Sequence, residues 1–175
     1  MSAQLDAIAE LHPDAQRLVC GFLDAFPGSA LASGKRSIDD QARIDAENEA
    51  EHPGFLLHTY ADSPVKSAMT ACAVRSAGAD AATLGPLFAS VLGGFSDDEL
   101  SHFSLHLSGH AADLEPVHDH EGFLVSDFIV RTRWCRDWIA RYVSSGQGDS
   151  ERSKVLTNED GLTRLHVQLF PASAA

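Results

Sequence analysis

The 175-residue chain has few cysteines, little basic charge and no long apolar run. Its three cysteines, Cys20, Cys72 and Cys135, are an odd number without Cys-x-x-Cys spacing. That speaks against a disulfide framework and a cysteine zinc knuckle, and leaves reduced, mostly buried thiols. Lys and Arg number 13 against 25 Asp and Glu, for a formal net charge of −12. No Lys/Arg-rich run offers a phosphate-binding surface, so nucleic acid is not the expected partner. No apolar stretch approaches the ~20 residues that span a bilayer, and no membrane insertion is expected. The opening "MSAQLDAIAELHPDAQ" lacks a basic n-region and an apolar h-region, so no secretory signal is expected. Internal repeats and low-complexity tracts are also missing.

What is present suits one globular domain over residues 1–175. Apolar residues make up 44% and charged residues 22%, enough for a real core. "HPDAQRLVCGFLDAF" has Pro13 at a first helical turn and Leu18, Val19, Phe22 and Leu23 on one face. "PGSALASGKRS" reads as a turn, a short strand and a second turn. "SIDDQARIDAENEAEH" has an N-cap at Ser37 and acids in its first turn, and is expected to be a solvent-exposed helix. Between Phe55 and Phe95 the mixture of small residues, Gly and Pro predicts one or two helices. "SDDELSHF" has another capped start. "AADLEPV" reads as a short strand. "SDFIVRTRWCRDWIARYV" is the clearest helix, with Ser126 as its cap and Phe128, Ile129, Trp134, Trp138, Ile139 and Tyr142 as its apolar face. The end, "KVLTNEDGLTRLHVQLF", predicts a hairpin turning at "NEDG". This order of elements predicts a helix-rich α+β domain with a small antiparallel sheet.

One stretch is chemically dense. "HFSLHLSGHAADLEPVHDH", His102 to His120, holds five of the nine histidines together with Asp113, Glu115 and Asp119. A zinc site needs a few N, S or O ligands in roughly tetrahedral positions. His106 and Asp113 flank a loop containing Gly109, whose turn lets both side chains point at one ion. A third ligand from a distant strand would complete the site, and His166 is the candidate. In "LTRLHVQLF" the period of two puts Thr163, Leu165, Val167 and Leu169 on one face and Arg164, His166 and Gln168 on the other. Spacing alone leaves the bland alternative open: a histidine on a strand is commonly a surface or satisfied core residue.

"SLHLSGHAAD", Ser104 to Asp113, resembles the Ser-x-His-x-x-Gly-x-Ala-x-Asp signature of the zinc D-alanyl-D-alanine carboxypeptidase family. That family includes cell-wall carboxypeptidases, D-Ala-D-Ala dipeptidases and phage endolysins that cut peptidoglycan peptides. Ser104, His106, Gly109, Ala111 and Asp113 agree in type and spacing. "SGKRSIDDQ", Ser33 to Gln41, is similar to the family's "SGYRS…Q" segment, and "LHVQL" to the last strand, which carries the third ligand. The resemblance implies zinc held by His106, Asp113 and His166. It implies that Arg36 meets the substrate carbonyl or the developing oxyanion, and that Ser104 hydrogen-bonds substrate. The implied activity is zinc-dependent hydrolysis of peptidoglycan stem or cross-link peptides, by a carboxypeptidase or endopeptidase. A protein without a signal would reach that substrate from the cytoplasm by release or injection.

The chain departs from the family at one place. A Glu or His commonly stands two or three residues before the last ligand, as the acid/base. Arg164 and Thr163 stand there here, and neither is a base at neutral pH. Arg164 suits substrate binding through its positive charge. Glu159, on the hairpin turn, is the expected acid/base, though "NEDG" is also ordinary turn chemistry. Glu115, His110, His118 and His120 are further candidates. Without such a group the chain would be a non-catalytic zinc-binding domain of the same fold that binds cell-wall or protein peptides. A third reading makes the His cluster incidental.

Overall fold

The structure is a computed structural model, which describes residues 2–115, 125–157 and 164–172. Within them lie eight helices and a four-stranded antiparallel sheet, a helix-rich α+β architecture. The contacts group into two compact units, residues 1–35 with 109–175, and residues 36–108. No described helix is long and apolar enough to cross a membrane.

The first unit contains helices α1 (Ser2–Ala9) and α2 (Pro13–Ala25), strand β1 (Ala30–Ser33), strand β2 (Ala111–Glu115), helix α8 (Val125–Ser144) and strands β3 (Lys154–Leu156) and β4 (Leu165–Gln168). The strand order is β1-β2-β4-β3, and every neighbouring pair is antiparallel. Pro13 opens α2, where its missing N–H costs nothing, and the His12 ring accepts from the Asp14 amide. Leu18, Val19 and Phe22 of α2 are fully buried. They share a core with Ala112, Leu114, Leu165 and Val167 from one sheet face and with Cys135, Ile139 and Tyr142 of α8. The alternation expected for β4 therefore holds: its apolar residues enter this core and its polar ones take the other face.

Two details of α8 differ from the sequence reading. Ile129 is 54% exposed, off the buried stripe. Cys135 takes a central place instead, and burial pushes its thiol up to about 12. Ser126 lies inside the helix, which already runs from Val125, and so does not precede it as a cap. Strands β3 and β4 pair as the hairpin reading requires, while its "NEDG" turn lies outside the described residues.

The second unit is helical: α3 (Ile38–Glu51), α4 (Phe55–Thr59), α5 (Pro64–Arg75), α6 (Ala81–Leu92) and α7 (Asp97–Phe103). Ser37, Ser63 and Asp80 each cap a helix by accepting a backbone N–H. Ser96 and Glu99 form a reciprocal capping box. Three helices lie between 55 and 92, more than the one or two expected, because Ser63-Pro64 and Asp80 supply start signals that outweigh a weak periodicity. The expectation of a solvent-exposed α3 is corrected. Gln41, Ala42, Asp45 and Ala46 form a buried face, and the small Ala42 and Ala46 side chains let α3 pack closely against α6. Ala42 and Ala46 belong to a core with Leu56, Val65, Met69, Phe88 and Leu92.

Candidate metal centre

Strand pairing builds the centre's first half. Asp113 of β2 lies directly opposite His166 of β4. Ala112 and Leu114 point into the core, so Asp113 takes the opposite face. His166 Nδ1 and Asp113 Oδ1 are 2.8 Å apart, with the side chains 12% and 8% exposed. The neighbouring pair on that face is Glu115 with Arg164, whose Nη2 donates to Oε1 at 3.3 Å. The Arg164 guanidinium is thus ion-paired to Glu115.

His106 follows α7 in a tight turn. The Leu107 amide donates to the Ser104 carbonyl, and the Arg36 amide donates to the His106 carbonyl at 3.0 Å. The His106 residue is 4% exposed. Gly109 then turns the chain towards β2 at φ +74°, and a Cβ there would lie 3.1 Å from the His12 nitrogen and 3.2 Å from the Glu10 carbonyl oxygen. Both conformation and space select glycine.

His106, Asp113 and His166 offer ligand atoms that all lie within 4.8 Å of one another, a group that can hold a metal ion. Ligand atoms on a tetrahedral ion with bonds near 2.0 Å sit roughly 3.3 Å apart. The 2.8 Å contact between His166 and Asp113 would open slightly to meet that spacing. Two imidazoles and one carboxylate are a mixed N/O donor set suited to a first-row divalent ion, and the carboxylate offsets part of its charge.

Arg36 and Ser104 meet at a third residue. Ser104 Oγ donates to Gln41 Oε1 at 3.2 Å, and Arg36 Nη1 donates to the same oxygen at 3.4 Å. Gln41 Nε2 donates in turn to Asp45 Oδ1 at 3.0 Å and to the Tyr60 hydroxyl at 2.9 Å. The Tyr60 hydroxyl donates to Asp45 Oδ1 at 2.6 Å. Burial raises the Asp45 carboxyl to about 7, against the opposing effects of the Tyr60 and Gln41 hydrogen bonds and the positive charge of Arg36. The sequence reading missed Asp45 and Tyr60. The available signal for Asp45 was its place four residues after Gln41, on a helical face otherwise lined by Ala42 and Ala46.

The remaining candidates are scattered. The His110 ring stacks on His12 with centroids 4.0 Å apart. Glu159, Thr163, His118 and His120 lie outside the described residues. Comparison of the chain with protein-family models, curated proteins and solved structures finds no match.

Proposed function

We propose that the chain is a zinc metallopeptidase acting on peptidoglycan peptides that contain D-alanine. The buried His106, Asp113 and His166 group carries this reading. Its support is the resemblance of Ser104–Asp113 to the carboxypeptidase signature, together with the shared hydrogen bonding of Arg36 and Ser104 through Gln41. His106, Asp113 and His166 would hold the zinc, which when bound supplies Lewis acidity and lowers the pKa of a bound water towards ~7. Arg36 would bind the substrate carbonyl or terminal carboxylate through its planar donors. Ser104 would fix a neighbouring peptide group by a hydrogen bond.

The proton acceptor would be a carboxylate. Glu159 is one candidate. Glu115 is a second, because it lies two residues beyond Asp113 on the same strand face, ~7 Å along the strand. Its Oε1 is 3.3 Å from Arg164 Nη2, an ion pair on this part of the strand face.

The same ion pair favours a second reading. If Arg164 ties up Glu115 and no other base is supplied, the chain is a non-catalytic zinc domain that binds peptides. Digestion of purified peptidoglycan by the zinc-loaded protein separates the two. Released D-alanine or cleaved stem peptides support the peptidase. Intact peptidoglycan with zinc bound supports the binding domain.

A further inference from the structure

We infer that Gln41, Asp45 and Tyr60 form a positioning web that sets the Arg36 guanidinium for a carboxylate or carbonyl oxygen of the substrate. The substrate end of this inference rests on the peptidase reading, whereas the coupling of Asp45 to Arg36 does not.

Gln41 is the hinge of the web. Its amide has two donors and two acceptor sites, and all four are used. The NH2 end faces Asp45 and Tyr60, and the oxygen faces Arg36 and Ser104. Rotating the amide by half a turn would aim its NH2 at the Arg36 donors and its oxygen at the Asp45 carboxylate. Both contacts would be repulsive, so Asp45 and Arg36 together fix which way Gln41 points. Tyr60 secures Asp45 by its 2.6 Å hydrogen bond, and its ring is held against Phe103 at 4.1 Å and edge-on to Phe55. Phe103 is the residue before Ser104, so one packed cluster fixes both ends of the web.

The carboxyl is costly where it is. Asp45 is fully buried, and its Oδ2 has no hydrogen-bond partner among the described residues. A purely structural core position would be better served by an apolar side chain. The charged groups acting on Asp45 are Arg36, which stabilises its ionised form, and Glu49, which opposes it. An ionised Asp45 therefore balances Arg36 through the intervening Gln41.

The test uses the full chain with arginine side chains labelled by 15N. The Arg36 signal is assigned by its disappearance in Arg36→Lys. In the wild type this signal should shift with a midpoint near neutral pH, and Asp45→Asn should abolish the midpoint while the protein stays folded. Tyr60→Phe serves as a second, milder variant and should move the midpoint. In the zinc-loaded protein Asp45→Asn should lower kcat for peptide hydrolysis by roughly ten- to a hundredfold with zinc content unchanged. The double variant Arg36→Ala/Asp45→Asn should be no slower than Arg36→Ala alone. An Arg36 signal indifferent to Asp45→Asn overturns the web, as do penalties that simply add. A wild type that hydrolyses nothing sinks the peptidase reading alone, because the Arg36 signal still decides the coupling.

Discussion

Asp113 and His166 face each other across adjacent antiparallel strands, carboxylate oxygen to imidazole nitrogen at 2.8 Å. Directly opposed residues on one sheet face have Cβ atoms about 5 Å apart, so the backbone itself brings these two side chains together. Such a pair needs little rearrangement to receive an ion. Asp113→Asn preserves the side chain's shape and removes its charge. It should weaken zinc binding by about a hundredfold, measured by competition with a chromophoric chelator. Unchanged affinity would show that Asp113 only orients His166.

Gly109 should tolerate no side chain. Gly109→Ala combines a left-handed backbone with a Cβ crowded by His12 and Glu10, and should destabilise the fold by about 2–3 kcal/mol in urea denaturation. Gly28 has φ +93° and nothing among the described residues within 4 Å of the added Cβ. Gly28→Ala should cost only about 1 kcal/mol. Equal losses would mean that the close approach at Gly109 does not matter.

Asp45 should make stability fall as pH rises. Its carboxyl is raised from 3.8 to about 7 in the folded protein, so between these values the folded state holds the proton more tightly than the unfolded chain. The stabilisation is fully present below about pH 4 and is lost as pH rises through about 7. Asp45→Asn removes that dependence. The variant should gain on the wild type across this window, by a few kcal/mol at pH 8. Denaturation midpoints of the two proteins measured from pH 4 to pH 8 provide the check, and parallel curves would contradict it.

Much of the fold was legible because the signals were local. Pro13, Ser37 and Ser96 start helices where capping chemistry says they should, and the period of two in "LTRLHVQLF" sorts β4 into a core face and a polar face. The same period placed His166 beside Arg164 on the polar face. What escaped depended on packing. Ile129 belongs to a helical pattern but sits outside the stripe that the sheet covers, and Cys135 sits within it. Helix α3 carries so many charges that it reads as exposed, yet Ala42 and Ala46 give it a narrow buried face that also takes in Gln41 and Asp45. Tyr60 reaches Asp45 from fifteen residues away, a pairing no local pattern encodes.

Arg36→Ala should lower peptide hydrolysis by about a hundredfold while zinc content stays unchanged. Undiminished turnover would reduce Arg36 to a structural partner of Gln41.

Among the carboxylates, the proton acceptor should be the one whose Gln variant keeps zinc and loses activity. Glu115→Gln and Glu159→Gln, assayed side by side on purified peptidoglycan, identify it. Loss in the first places the base on β2, and loss in the second places it on the hairpin turn. Full activity in both would exclude the two as the base.

His106, Asp113 and His166 together should hold one metal ion. Elemental analysis of the zinc-loaded and dialysed protein tests it most directly, with wild type, His106→Ala and His166→Ala compared and folding checked by circular dichroism. The wild type should carry about one zinc per chain, and each folded variant less than about a tenth of that. Equal zinc in all three, or none in the wild type, would contradict it.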